Sequence, residues 1–530
     1  MLVQDINGDV KPEIWIDANL SAIVTNTFTI YHNRLSPGPF KTSSLTQYKP
    51  LSNFNNGLTR GKFIDFDNDG RPDFFNDQAT NFFSISRGNP QSFAIPFSTS
   101  VTPSKALVGQ NVVINGYNFN TDIAKNEVWF GGVKAIVNSV TENTINVKVP
   151  YGSSYQHISV LNNTTGATKY TKESFVTLFE AQVKDFNPGV SFPTGNMPAS
   201  VALADIDSDG KLELIVAEAG SSKVSIYRNT SLTGSLNASS FSNKVDFPTG
   251  PNPAFVVVKD INGDGKPDIL TANFGSNSIS ILRNTSSPGA ITSATFAGKV
   301  DFVTGAKPSS LSIADIDNDG KPDIAVANSG SNTISVFKNI GSKGNPFAIV
   351  FAKTDFVVGP NPTSVILSDI DDDNKPDIVT TLFGVNKIAI LPNVTEWTKI
   401  NDLSFGNKTE FVTGLAPQYL TVGDLSGDGK PDVIVANKSS KTISIFRNTS
   451  VKGSINSVSL ATKFDLISST GVVALALGDI NGDGSPDIIS ANKGLNTISI
   501  FGNESNQNTF DATSFTRLDQ PTGAGPQGIT

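Results

Sequence analysis

A nine-residue pattern, Asp-x-Asp/Asn-x-Asp-Gly-x-x-Asp, recurs through nearly the whole 530-residue chain, with its first residue at Asp5, Asp65, Asp205, Asp260, Asp315, Asp369, Asp424 and Asp479. The intervals are 60, 140, 55, 55, 54, 55 and 55 residues. The last six copies therefore form a near-regular array, and the one long gap holds an insertion of roughly 80 residues. Two other landmarks keep the same phase. Gly195, Gly250, Gly305, Gly359 and Gly414 each stand 10 residues before an acidic motif, and Asn229, Asn284, Asn339, Asn393, Asn448 and Asn503 each stand 24 after one. Three registers held in phase mean that one repeat is one structural unit.

Within a repeat, Ser310-Leu311-Ser312-Ile313-Ala314 alternates, and Ile324-Ala325-Val326-Ala327-Asn328 starts a second short apolar run after the acidic loop. Thr333 to Phe337 makes a third, and the segment from Val350 to Val357 alternates again. Asn, Gly, Ser or Pro sits at every junction and no helical period is present, which predicts four strands per unit. A unit of that size suits radial repetition of four-stranded sheets, each burying its faces on its neighbours. The expected fold class is all-β: a β-propeller of seven or eight four-stranded blades, plus a small sandwich in the insertion.

The acidic loop alternates oxygen-bearing side chains at positions 1, 3, 5 and 9, with Gly at position 6 for a positive φ and the position 7 carbonyl turned inward. Calcium takes six to eight oxygens at about 2.3–2.6 Å, and a short run of alternating acids delivers them from one segment. The complete candidate loops are Asp65, Asp67, Asp69 and Asp73 with the carbonyl of Arg71; Asp205, Asp207, Asp209 and Glu213 with Lys211; Asp260, Asn262, Asp264 and Asp268 with Lys266; and Asp315, Asp317, Asp319 and Asp323 with Lys321. Asp369, Asp371, Asp373 and Asp377 with Lys375 carry Asn374 at position 6, which tolerates the left-handed region. Ser426 stands among Asp424, Asp428, Asp432 and Lys430, and Asn481 among Asp479, Asp483, Asp487 and Ser485. Asp5, Asn7, Asp9, Glu13 and Lys11 form the weakest loop, because Val10 resists the backbone geometry at position 6.

Charge counting favours a cation over a set of mere turns. The ligand positions of the eight loops hold 28 of the 48 acidic residues, leaving 20 acids at other positions against the chain's 40 bases. Up to eight bound Ca2+ ions would move the net charge from -8 to +8. Composition excludes much else. The chain has no Cys and 2 His, so thiolate and disulfide chemistry are absent and histidine-based catalysis is starved of residues. His32 and His157 lie in unlike contexts and are expected at the surface. The acidic balance and the lack of a basic groove argue against nucleic acid, and no apolar run approaches the length of a membrane span.

Segments such as Asp260-Ile-Asn-Gly-Asp-Gly-Lys-Pro-Asp268, with their flanking strands, resemble the FG-GAP or VCBS repeats of integrin-alpha-type β-propellers over about 1–98 and 179–530. The resemblance implies four-stranded blades with calcium held by the positions above. The insertion, about 99–178, carries Gln110–Gly116, Glu127–Gly132, Thr144–Pro150 and His157–Leu161 as strands. With Pro103, Gly109, Gly116, Phe119, Phe130-Gly131 and Val149-Pro150, it resembles an immunoglobulin-like IPT/TIG domain. Trp129 in it is read as a core residue before a sugar platform. The sequons at Asn229 and Asn448 share one repeat position and are read as turns.

These resemblances imply a non-catalytic, calcium-stabilised binding or adhesion protein, extracellular or on a cell surface, whose partner is an extracellular protein or glycan. The alternatives are a scaffold, or an accessory carbohydrate-binding or spacer region of a secreted carbohydrate-active enzyme with its catalytic domain outside this chain. Gly523 matches the phase glycine, so the next motif falls due at position 533, and Met1 begins four residues before Asp5. Both ends are expected to interrupt a repeat, as in a fragment of a longer protein, in preference to one ring closed between the termini.

Overall fold

The computed structural model describes residues 95–178, 189–232, 235–341, 349–395, 399–505 and 509–530, together with the backbone of seven short strands within 1–94. Six four-stranded antiparallel meanders follow one another from residue 198 to residue 521. We number them blades I to VI. Their innermost strands are Pro198–Ala204, Pro253–Lys259, Pro308–Ala314, Pro362–Ser368, Pro417–Gly423 and Val472–Gly478. Blade III continues through Asp323–Asn328, Thr333–Asn339 and Phe351–Val357. The four strands read from its sequence are thus all present, in the order in which they occur.

The second strand of each of blades II to VI, such as Asp323–Asn328, is buried at every position. It lies between the faces of two neighbouring blades, so both of its sides must be apolar or hydrogen-bonded, which is why it reads as a continuous run and not as an alternation. The core is accordingly a series of clusters between consecutive blades. Ile215 and Val224 of blade I pack with Val256 and Ile269 of blade II, and Ile334 and Val336 of blade III pack with Val365 and Ile378 of blade IV. Edge-to-face ring pairs at 5.0 Å, Phe247 with Phe296 and Phe356 with Phe405, tie outermost strands to the following blades.

Both phase landmarks have a packing reason. A Cβ on Gly305 would lie 2.3 Å from Ser331 Oγ and 2.8 Å from Asn328 Nδ2, so only glycine permits the close approach. Asn339 donates from its backbone N–H to Asp323 Oδ1 at 2.7 Å, and from its amide to Pro322 O at 3.2 Å and Ile261 O at 2.9 Å. The last of these bonds joins blade III to the acidic loop of blade II. Asn284, Asn393, Asn448 and Asn503 make the same inter-blade bond. Asn448 is buried with its amide engaged in this way, so the sequon position is a turn, as read.

Residues 97–178 form a sandwich of a four-stranded and a five-stranded sheet, from Phe97–Thr102 to Ala167–Leu178. Val112, Ile114, Phe130, Ile145, Val160 and Phe175 fill it, and Trp129 is buried as expected. The N-terminal strands form a four-stranded sheet (2–4, 13–16, 29–33, 45–47) and a three-stranded one (62–64, 73–78, 82–86). The loops of Asp5 and Asp65, and the side chain of His32, lie outside the described residues, as does much of what an expectation of seven or eight blades rests on. At the other end, Phe515–Pro521 pairs with Thr497–Asn503 of its own blade, and Gly528 packs against Ser200 and Val201 of blade I. Among the described residues no helix is long and apolar enough to cross a membrane.

Candidate metal centre

In each of the six described blades the acidic loop connects the innermost strand to the second, so all six loops lie at one end of the sheets. Position 6 has a positive φ in every case, from 66° at Asn374 to 86° at Gly484. Position 4 does too, at Ser208, Gly263, Asn318, Asp372, Gly427 and Gly482. That second requirement was legible as a column of small or Asx residues, but the sequence reading did not use it. The position 1 carboxylate is oriented by backbone N–H groups. Asp260 accepts from Gly263 and Asp264 through Oδ1 and from Gly265 through Oδ2, at 2.8, 3.2 and 2.8 Å. The position 9 carboxylate accepts from position 2 and from the phase Asn, as Asp268 does from Ile261 and Asn284.

Positions 1, 3 and 9 converge in three loops. One oxygen from each of Asp205, Asp207 and Glu213 lies within 4.8 Å of the others, and so for Asp315, Asp317 and Asp323, and for Asp369, Asp371 and Asp377. Oxygens around one calcium at about 2.3–2.6 Å are separated by at most about 5 Å, so this spacing fits. The other three loops have Asn262, Ser426 and Asn481 at position 3, which supply an oxygen without a third acid. Position 5 stands apart from these clusters. Its carboxylate accepts the N–H of position 7, as Asp319 does from Lys321 at 3.0 Å and Asp373 from Lys375 at 2.9 Å. Lys211, Lys266, Lys430 and Ser485 donate to Asp209, Asp264, Asp428 and Asp483 in the same way.

The electrostatics are those of crowded, buried acids. Burial pushes Asp205 to about 6, Asp315 and Asp432 to about 7, and Glu213 and Asp377 to about 8, with neighbouring carboxylates of the same loop adding to the rise. Asp207 Oδ1, Asp315 Oδ1, Asp317 Oδ1, Asp371 Oδ1 and Ser426 Oγ are buried with no hydrogen-bond partner among the described residues. Four of these five belong to position 3.

Basic side chains 23 residues after the first Asp reach into some of these loops, a feature that sequence reasoning missed. Arg228 pairs with Asp207 and Asp209, both at 2.6 Å; Lys338 pairs with Asp317 and lies 3.6 Å from Asp319; Arg447 reaches Asp428 at 3.1 Å. Blade IV has Pro392 at this place and blade VI has Gly502. The signal was present one residue before the phase Asn.

The sandwich sits on this end of the propeller and touches the loops of all six blades. Gly132 O accepts from Asp205 N at 2.9 Å, Glu127 abuts Gly265, and Gly320 O accepts from Thr168 N at 2.8 Å. Lys172 pairs with Asp372, Tyr155 Oη accepts from Asp424 N at 3.1 Å, and Lys105 Nζ reaches Gly484 O at 3.5 Å. Lys169 also lies 3.7 Å from Asp315. His157 is exposed, as expected. It lines the space between sandwich and propeller, where its Nδ1 is 2.8 Å from Thr171 O.

The FG-GAP-like repeat family matches residues 205–271, 260–326, 315–380 and 424–490, and the IPT/TIG domain family matches 96–176. No curated protein matches the chain. Among solved structures, a provisionally assigned 6-phosphogluconolactonase from Bacteroides fragilis is similar at 15% identity and a TM-score of 0.43, over 77% of this chain and 99% of that one. An auxiliary nutrient binding protein from Bacteroides ovatus (12%, 0.34, over 76% and 96%) and a periplasmic gluconolactonase from Pseudomonas aeruginosa (13%, 0.41, over 76% and 97%) are also similar. Their sequences are too distant for their names to bear on the chemistry of this chain.

Proposed function

We propose that this chain, an FG-GAP-like repeat protein with an IPT/TIG domain, is a calcium-stabilised, non-catalytic binding protein that works outside the cell or on its surface, on an extracellular protein or glycan. The observation that carries the reading is the set of buried loop oxygens without partners, Asp207, Asp315, Asp317, Asp371 and Ser426. Buried polar atoms are ordinarily hydrogen-bonded, and a hard cation is the partner that suits several carboxylates at once. Positions 1, 3 and 9 would hold it, with further oxygens from position 5 and the position 7 carbonyl. What the ion supplies is charge neutralisation and rigidity; the N–H groups around Asp260 and its equivalents already fix the carboxylates.

The basic residues that reach loops I, III and V, with Arg283 acting on Asp264 of loop II, compete with a cation. Weak sites of about 10⁻⁴–10⁻³ M, characteristic of extracellular modules, are the expected consequence. Calorimetric titration of the intact chain with Ca2+ tests this directly. Several equivalents bound in the millimolar range, with a higher melting temperature, are expected. A melting temperature unmoved by millimolar calcium or by chelator would overturn the reading.

A further inference from the structure

We propose that the cavity between the IPT/TIG domain and the propeller is a binding site for a small polyhydroxylated carboxylate, with Lys259 as the partner of its anionic group. The cavity has a volume of about 700 Å³, within the range of small-molecule sites. Its floor is the mouth of the propeller channel. There Phe255 and Tyr419, from the innermost strands of non-adjacent blades, meet with ring centroids 6.5 Å apart and so fill the axis. Its roof is the domain that touches all six loops.

Lys259 ends the innermost strand of blade II. The equivalent residues in the other five blades are Ala204, Ala314, Ser368, Gly423 and Gly478. Small residues suit a strand end packed under a roof, so a lysine at this one place is not required by the repeat. Its Nζ lies 4.3 Å from the centroid of Tyr170 and makes no hydrogen bond or ion pair among the described residues. The acid beside it, Asp260, already accepts three backbone N–H groups and belongs to the metal loop. A half-buried ammonium stacked on a ring, with no anion paired to it, gains from an anionic guest.

The rest of the lining selects what is attached to the anion. Tyr155, Tyr170 and Tyr419 offer ring faces, and the hydroxyls of Tyr170 and Tyr419 have no protein partner among the described residues. Gln156 from the roof and Thr421 from the floor add polar groups to the lining. Aromatic faces beside unused hydroxyl and amide groups suit a ring or chain carrying hydroxyls, whereas a purely apolar acid would leave them unpaired.

The inference deepens the binding role proposed above and rests on it, and the experiment separates the two. The intact chain in millimolar calcium is titrated calorimetrically with D-glucuronate and with D-glucose as probes, and separately with calcium. Glucuronate is expected to bind at least about tenfold more tightly than glucose. Lys259→Met should abolish that preference without changing the melting temperature by more than a few degrees, and Lys259→Arg should keep most of it. Tyr419→Phe, which removes only a hydroxyl, gives a second reading and should weaken glucuronate severalfold. Equal affinity for the two sugars, no heat with glucuronate, or a Lys259→Met protein that binds it unchanged would overturn the proposal; in the last case Lys259 serves only to stack on Tyr170. Calcium uptake without the probe removes this site alone, and probe binding without calcium removes the loop assignment alone.

Discussion

Two parts of each blade, the acidic loop and the outermost strand, treat carboxylates in opposite ways. At the loop end, acids crowd one another and burial raises them, Glu213 and Asp377 to about 8. In or just before its outermost strand each blade carries a basic residue two before an acid, and the pair is closed. Lys463 meets Asp465 at 2.5 Å, Asp465 accepts from Ser444 Oγ at 2.6 Å, and Ser444 in turn accepts from Asn437 at 2.8 Å. Asp246 shows the result. Although burial opposes its charge, Lys223, Lys244 and Ser225 hold it at about 2. The outermost-strand acids are neutralised by their own side chains, whereas the loop acids are compensated by bases in only some blades.

The largest test of this contrast is pH. A carboxyl whose folded pKa is raised stabilises the fold below the unfolded carboxylate range near 4 and loses that contribution as pH rises through the folded value. In chelator, melting should therefore fall between pH 5 and pH 8, by about 10 °C if several loops contribute, because Asp205, Glu213, Asp315 and Asp377 titrate at about 6 to 8. Millimolar calcium should flatten the profile. A fall of the same size with calcium present would erase the distinction between loop and outermost strand.

Next in size is the neutral frame that carries the loops. Asn339→Ala strands Ile261 O and Pro322 O and should cost about 2–3 kcal/mol in denaturant melts, with or without calcium. A smaller and more pointed test uses one kind of substitution in both places. Asp371→Asn puts at position 3 the residue that loops II and VI already use; it should stabilise the chelated protein by about 1 kcal/mol and reduce the calcium gain. Asp246→Asn, in a partly exposed ion pair, should destabilise both forms by about 0.5 kcal/mol. The same sign at both sites would contradict the comparison. The smallest effect is expected from Lys338→Met, which removes the competing ammonium from loop III and should raise calcium affinity there by about threefold, read against the untouched loop IV.

Much of this was legible in advance because it is local. The strands of blade III, the left-handed position 6 and the sandwich strands around Val112, Val128, Ile145 and Val160 follow from alternation, turn residues and the repeat period. The sandwich strands at 97–102, 105–107, 133–140 and 167–178 escaped notice because short, polar or edge segments alternate weakly. The reach of Arg228 and Lys338 into the loops escaped because a charge beside the phase Asn reads as an ordinary surface residue until the third strand is placed next to the loop.

What the sequence alone determined is whatever a 55-residue unit can specify within itself: blade, loop chemistry and the glycine that must lack a Cβ. Tertiary structure decided the rest. Asn339 bonds a carbonyl 78 residues away, Lys169 meets Asn318 across 149 residues, and Lys105 meets Gly484 across 379. The roles of Lys259, His157 and Tyr155 exist only because the inserted domain folds back over the loop end. No periodic pattern encodes such contacts, because they depend on how complete surfaces fit, and a repeat that looks uniform along the chain becomes non-uniform where one domain covers it.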